Sequence, residues 1–416
     1  MSLNHPGNSS IIHKNMQQEI AIYTLTSGLH DERSVAAVTE DFLNSVGLVD
    51  SLQGADFSSY GTHCLDLIYV RTGGTEGIFK KLLPLLQQKS DRPFFLLTSG
   101  KSNSLAASME ILSYLHQMGA KGEIIHGNTA FVKQRIESLA KVGKALWQMR
   151  GCRLGVIGRP SDWLIASTAD VGVVKHLLGV DLIDIPMEAL MTAINNMPQE
   201  PAPLASSSPA IDQALPGAFQ ILKGLEKIVK EYDIQGFTLR CFDLLKAMHN
   251  TGCLALASLN SSGVVASCEG DVPAMLSMFI SRQLIGVSGF QANPSRIDVS
   301  TGEMVLAHCT IPFNMVDSYE LDTHFESGIG VGIRGNMPLG HVTIFKVSGD
   351  LSRMFIAEGT LLENQSHQDL CRTQQLIQLN DASQCRYFLN NPIGNHHIVL
   401  SGHHQALLED FFKLSS

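Results

Sequence analysis

The feature that most constrains this chain is the alternation, across its first half, of short apolar runs with stretches of helical periodicity. Glu19–Leu25 (EIAIYTL), Cys64–Val70, Pro93–Thr98 and Gly122–His126 each form a run of strand length. Between them, Asp31–Val46, the segment from RTGGTEG to Gln88, and Ser104–Met118 place apolar residues at helical spacing. Strands separated by helices pair in parallel, with the helices crossing over the faces of the sheet. A second series opens at Arg153–Gly158 (RLGVIG), passes through RPSDWL and a helix ending near Leu178, and reaches a strand at Asp181–Ile185. The text from 195 to 216 is rich in Pro, Ser and Ala and reads as an exposed loop, followed by a helix from Phe219 to Tyr232.

Past Gly252 the grammar changes. Met304–Cys309, Gly330–Ile333, His341–Val347, Arg353–Leu361 and His397–Leu400 are short strands separated by turns, the pattern of an antiparallel domain. The expected fold class is therefore α/β: two N-terminal doubly wound parallel-sheet domains, 15–150 and 151–250, followed by a mostly antiparallel β domain, 251–416. A chain of 416 residues is too long for one ordinary core, which agrees with several domains.

Net charge and cysteine usage narrow the partners. The net charge is -9 with no concentrated basic stretch, which argues against a nucleic-acid partner. No apolar run reaches the roughly 18 residues of a membrane span. The eight cysteines form no C-x-x-C pair, so neither a zinc knuckle nor a disulfide framework is expected. The opening MSLNHPGNSSII lacks the basic start and apolar core of a secretory leader and reads as a frayed end. These readings point to the cytoplasm and away from an extracytoplasmic sugar receptor. Neither a G-x-G-x-x-G after the first strand nor a Walker lysine pattern is present, so nicotinamide and ATP are not the expected ligands.

The chemistry-bearing residues concentrate in the last third. In VVASCEGDVPAMLS, Glu269 and Asp271 lie at the exit of an apolar strand, directly before a helix. Asp271 is placed to cap that helix, with Pro273 in its first turn. Glu269 sits before the cap, where a carboxylate faces a cleft or a cation. Asn293 and His308 stand at further strand ends, although a histidine beside apolar strand residues is more often a satisfied core group. His324 and Glu326 precede a glycine-rich strand, where ordinary turn chemistry competes with a role in a site. His396 and His397 begin a strand and point to opposite faces, so only one can enter a shared site. Glu269, His308 and one histidine of that pair make a donor set suited to a divalent first-row metal. In the α/β region, the Arg71–Glu76 loop offers backbone N–H groups to an anion or sugar hydroxyl, with plain turn geometry as the competing reading. Arg159 and Trp163 of RPSDWL are candidate sugar contacts, because an indole face packs on a carbohydrate ring.

Taken in order, VRTGGTEG, SGKSNSLAASMEIL, IGRPSDWLIAS, CEGDVPAMLS, VLAHCT, HFESGIGVGIRG and GNHH…SG resemble the signature blocks of the L-fucose and L-arabinose isomerase-like family. The resemblance implies a metal-dependent aldose–ketose isomerase acting on a small sugar through a cis-enediolate. It implies a manganese ion, with Glu269 matching the first acidic ligand and base, His308 the arabinose-isomerase histidine, and His396 or His397 the C-terminal histidine. The family's second acid falls on Asn293, an amide that can offer a carbonyl oxygen to a metal but cannot accept a proton. Asp271 then stands as reserve acid or base, and Arg159, Trp163 and His324 as substrate contacts. The family's subunits form rings in which a neighbour completes each pocket, which implies a homo-oligomer, a trimer or hexamer. The alternative reading keeps the fold without isomerisation, as a carbohydrate-binding or regulatory protein, and rests on the amide at 293.

Overall fold

The computed structural model describes residues 20–415 apart from 205 and 207. The opening residues read as a frayed end, Glu19 of the first strand and residues 15–19 of the first domain therefore lie outside the described residues. The chain divides into two compact units, residues up to 147 together with 413–415, and residues 148–412.

In the first unit, β1 (Ile20–Leu25), α1 (Glu32–Val46), β2 (Leu52–Gly54), β3 (Leu65–Val70), α2 (Glu76–Lys89), β4 (Phe94–Leu97), α3 (Ser104–Gln117), β5 (Gly122–Ile125) and α4 (Thr129–Met149) follow one another. The strands pair in parallel in the order β2-β1-β3-β4-β5. The central strands are largely apolar because they are covered on both faces; all four residues of β4 are buried. The Asp31 carboxylate accepts from the Ser34 N–H to start α1, and Gly47 in the left-handed region ends it. In the Arg71–Glu76 loop, the buried Arg71 guanidinium donates to Thr26, Thr39 and Glu32, and the Gly73 N–H to the Ser102 carbonyl.

The second unit begins with β6 (Arg153–Ile157), α5 (Val171–Leu178), β7 (Asp181–Ile185), α6 (Met187–Asn195), α7 (Pro209–Glu231), β8 (Gly236–Leu239), α8 (Phe242–Met248), α9 (Cys253–Ser262), β9 (Val265–Cys268) and α10 (Val272–Ile285). Its parallel sheet runs β7-β6-β8-β9, so the fourth strand comes from beyond residue 250. There follow β10 (Phe290–Asp298), β11 (Glu303–His308), β12 (Ser318–Asp322), β13 (Gly332–Asn336), β14 (Gly340–Val347), β15 (Met354–Gln365), β16 (Thr373–Leu379), α11 (Cys385–Asn390), β17 (His397–Ser401) and α12 (Gln405–Ser415). Six of these strands close an antiparallel barrel in the order β10-β11-β16-β15-β14-β17. Phe290, Leu306, Ile344, Ala357, Ile377 and Val399 belong to one buried cluster. The fold class is thus the mixed α/β arrangement expected, parallel sheets first and an antiparallel β structure last.

One boundary differs from the sequence reading. Helix α7 starts at Pro209, not at Phe219, so the loop read over 195–216 shrinks to 196–208. Pro209 occupies the first turn, where a missing N–H removes no helical bond. Ile211, Leu215, Ala218, Leu222 and Leu225 then bury one face, and this periodicity outweighs Pro216 inside the helix. Among the described residues no helix is long and apolar enough to cross a membrane.

Candidate metal centre

Three strand ends meet at one point of the second unit. Glu269 leaves the C-terminal end of β9, His308 is the last residue of β11, and His396 immediately precedes β17. The parallel sheet is tied to the barrel here by Gln291 of β10, whose side-chain carbonyl accepts from the Cys268 N–H at 2.8 Å and from the Ser267 hydroxyl at 2.9 Å. In the barrel, β10 lies between β11 and β17, pairing Asn293 with Ala307 and Ala292 with His397. Those pairings bring the two histidine-bearing strand ends to the same rim.

The backbone at Glu269 is forced. Its φ is +65°, a left-handed conformation that disfavours a residue with a Cβ by roughly 1–2 kcal/mol. The next residue, Gly270, also has positive φ, and a Cβ there would lie 2.5 Å from the Arg159 carbonyl oxygen. The RPSDW loop is packed against this turn, with the Ser161 N–H donating to the Glu269 carbonyl at 2.9 Å. Strain held by surrounding structure is a mark of sites where one side chain must be aimed.

The Glu269 carboxylate is aimed at two imidazoles. Its Oε1 lies 3.6 Å from His308 Nε2 and 3.5 Å from His396 Nε2, while Oε2 accepts from the Trp163 indole N–H at 2.8 Å. One ligand atom from each of Glu269, His308 and His396 fits within 4.8 Å of the other two, a group able to hold a metal ion. His396 Nε2 is buried and has no hydrogen-bond partner among the described residues. An orphaned imidazole nitrogen beside a carboxylate is what a cation site requires.

Electrostatics agree with a place for positive charge. Burial pushes the Glu269 carboxyl up, but His396 and His308 together outweigh it and hold the group far below the usual carboxylate range. Burial pulls His396 down, yet Glu269 and Asp271 raise it to about 9. Burial lowers His308.

Asp271 stands behind His396 rather than in the pocket wall. It is fully buried; Oδ1 accepts from the Ala274 N–H at 2.8 Å, capping α10, and Oδ2 faces His396 Nδ1 at 2.9 Å. Lys346 of β14, also buried, reaches both oxygens at 3.3 Å. Burial raises the Asp271 carboxyl, but Lys346 first and His396 second bring it down to about 2. A carboxylate on the far nitrogen fixes the tautomer and orientation of a ligating histidine. Lys346 was not foreseen, because a single lysine inside the apolar HVTIFKV gives no periodic signal.

The remaining predicted residues fall in different places. His397 turns away, with Nδ1 3.0 Å from the Asn395 carbonyl and Nε2 3.1 Å from the Tyr387 hydroxyl, so His396 is the member of the pair that faces Glu269. Asn293 lies within β10 rather than at its end and lines the same pocket; its carbonyl accepts from the Asn395 amide at 2.8 Å. Trp163 packs edge-on to Phe242 at 4.8 Å, and Phe242 edge-on to His324 at 5.6 Å. His324 and Glu326 line the pocket, whereas Arg159 is solvent-exposed and pairs with Asp162 at 3.9 Å. The pocket holds about 450 Å³ including its open mouth, and Cys241, Cys253, Cys268, Cys309 and Cys371 also line it.

No family model matches this sequence. Curated relatives do. A sulfoquinovose isomerase of Clostridium sp. (strain MSTE9) is 24% identical over 274 residues, 59% of this chain and 59% of its own length. Another, of Alkalicoccus urumqiensis, is 22% identical over 288 residues, 64% of this chain and 62% of its own length. A third, of Priestia aryabhattai, is 22% identical over 248 residues, 56% of each. The match spans about three fifths of the length of these relatives, and the similarity is to proteins named as sugar isomerases.

Proposed function

We propose that the chain is an aldose–ketose isomerase of the L-fucose/L-arabinose isomerase type, acting on a small sugar at the Glu269–His308–His396 group. The observation that carries this reading is the pair of buried imidazole Nε2 atoms at 3.6 and 3.5 Å from one carboxylate oxygen, one of them without a hydrogen-bond partner. The relatives' name supports the reaction class and makes a sulfonated aldohexose one substrate to test. Glu269, His308 and His396 are the proposed holders of a divalent ion, most simply manganese, with the Asn293 carbonyl as a fourth donor. The homo-oligomer implied by the family resemblance belongs to the same proposal.

Aldose–ketose isomerisation moves a proton between C1 and C2 through a cis-enediolate. A bound divalent ion supplies acidification of the C–H and charge stabilisation for the developing oxyanion. Glu269, whose carboxylate lines the pocket, is proposed to take the carbon-bound proton. Trp163 fixes Oε2 and leaves Oε1 turned inward. His324, which lines the pocket, and Trp163, bonded to Glu269, are proposed to position the sugar. Asp271, engaged by Lys346, His396 and Ala274, acts by orienting His396, and its part as a reserve base is limited by that burial.

A second reading is favoured by Asn293, where the family pattern has an acid: a protein that binds the sugar without isomerising it. One assay set separates the two. Bound manganese is measured on the purified protein, and aldose–ketose exchange is followed in deuterated water over pentoses, 6-deoxyhexoses and sulfoquinovose. Manganese with deuterium at C1 or C2 supports the isomerase. Sugar binding without deuterium uptake supports the second reading, and absence of both metal and deuterium sinks the first.

A further inference from the structure

Five of the eight cysteines line the pocket that holds Glu269 and His308. They come from five separate strand and helix ends, so no spacing in the sequence groups them. Cys241 follows β8 and caps the start of α8; Cys268 ends β9; Cys253 opens α9; Cys309 follows β11 and Cys371 precedes β16. All are free thiols. The Sγ atoms of Cys241 and Cys268 are 3.1 Å apart, on strand ends already in parallel register, Leu239 opposite Cys268.

We propose that Cys241 and Cys268 form an oxidisable dithiol in the pocket wall, converted to a disulfide by a small peroxide. Both thiols are buried but line the pocket, so the class of oxidant is a small one of the size of hydrogen peroxide. One thiol gives up its proton and attacks a peroxide oxygen, breaking the O–O bond, forming a sulfenic acid and releasing water or an alcohol. The second thiol attacks that sulfenic sulfur, forming the S–S bond and releasing water. Both thiol protons leave in the products, and the two electrons lost by the sulfurs are those gained by the peroxide.

The consequence lies one residue along the chain. Cys268 directly precedes Glu269, whose backbone is already held at φ +65°, and Cys241 directly precedes Phe242, against which Trp163 packs. Drawing the two sulfurs to bonding distance, about 2 Å, pulls on both sides of the Trp163–Glu269 hydrogen bond. Disulfide closure therefore disturbs the Trp163–Glu269 contact that holds the carboxylate. The effect on a bound ion rests on the metal reading of that group; formation of the disulfide does not.

The experiment treats the full chain with hydrogen peroxide and maps disulfides by mass spectrometry of non-reduced digests. The expected product is a Cys241–Cys268 link, a loss of about 2 Da per chain, absent in Cys241→Ser and removed by a dithiol reductant. Trp163 emission should change on oxidation and recover on reduction, in a Trp147→Phe background that leaves Trp163 as the remaining indole. Manganese binding to the oxidised protein should weaken by about tenfold or more and recover likewise. Oxidation that yields sulfinic acids or links only other cysteines overturns the proposal. If the link forms but neither the emission nor manganese binding changes, its coupling to Glu269 is overturned. A protein that never binds manganese yet shows the reversible link and emission change overturns the metal reading alone and supports the dithiol.

Discussion

His396 and Asp271 are joined at 2.9 Å between Nδ1 and Oδ2, and Lys346 closes the other side of the carboxylate at 3.3 Å. All three side chains are buried to within about a hundredth of their surface. Asp271→Asn leaves the lysine charge unpaired inside the protein, where breaking such a pair typically costs about 3–5 kcal/mol. The expected outcome in urea unfolding is a loss of that size for Asp271→Asn and a smaller loss for the double variant Asp271→Asn with Lys346→Met. Equal losses in the two proteins would show that the charge pair is not the source.

Removing the carboxylate that both imidazoles face should abolish tight manganese binding. Glu269→Gln keeps the shape and the Trp163 bond while withdrawing the charge. Calorimetric titration is expected to show manganese affinity reduced by at least about a hundredfold. Unaltered affinity would place the ion elsewhere.

Asn293 lines the pocket through a strand that pairs with both histidine-bearing strands. Asn293→Asp restores an anionic donor at that position, and the Asn395 amide, now 2.8 Å from the carbonyl, can still donate to it. Manganese affinity should rise, by about tenfold for an added charged donor, and sugar isomerisation should be kept or increased. A fall in affinity would mean that the amide at 293 is suited to the site as it stands.

Burial, then Lys346, pushes His397 from 6.5 down to about 3, and burial pushes His324 down to about 4. Both groups are neutral when folded and take a proton more readily when unfolded. Their contribution to stability is therefore present above 6.5 and is lost as pH falls toward the folded values. The urea midpoint of the metal-free protein should drop between pH 6.5 and 3, and His397→Gln should make that slope shallower. A slope unchanged in His397→Gln would mean that other groups set the acid limb.

At Gly270 the backbone is left-handed, and an added Cβ would meet the Arg159 carbonyl at 2.5 Å and Pro160 Cα at 2.7 Å. Gly270→Ala should lower stability by about 2 kcal/mol or more and weaken manganese binding by displacing its neighbour Glu269. Thermal unfolding with and without manganese tests both parts.

The parallel sheets were legible because strands covered on both faces are largely apolar, as LDLIYV and PFFLLT are. Glu269 was legible for the opposite reason, as a charge at the exit of a buried strand. Asn293 was placed at a strand end but lies inside one, since FQANPSRID mixes polar residues with a proline and hides the continuity of β10. β16, TQQLIQL, was not read as a strand, because its three glutamines break up the apolar run. The thiols form no motif along the chain, yet five of them line one pocket once the parallel and antiparallel strand pairings are made. Between His396 and His397 the alternation of a strand allowed only one in a shared site, and the His397 ring, bonded to the Asn395 carbonyl and the Tyr387 hydroxyl, leaves His396 as the one facing Glu269.

The barrel order places β17 between β10 and β14, so the strand made last fills a gap between two made long before. During synthesis, a nascent chain that has not yet delivered residues 397–401 presents two open sheet edges, the condition most exposed to mispairing and aggregation. His396 arrives on the same segment. Closure of the barrel and completion of the candidate site are therefore one event in time, and a partly made protein carries Glu269 and His308 without the third group that would let them compete for a cellular metal ion.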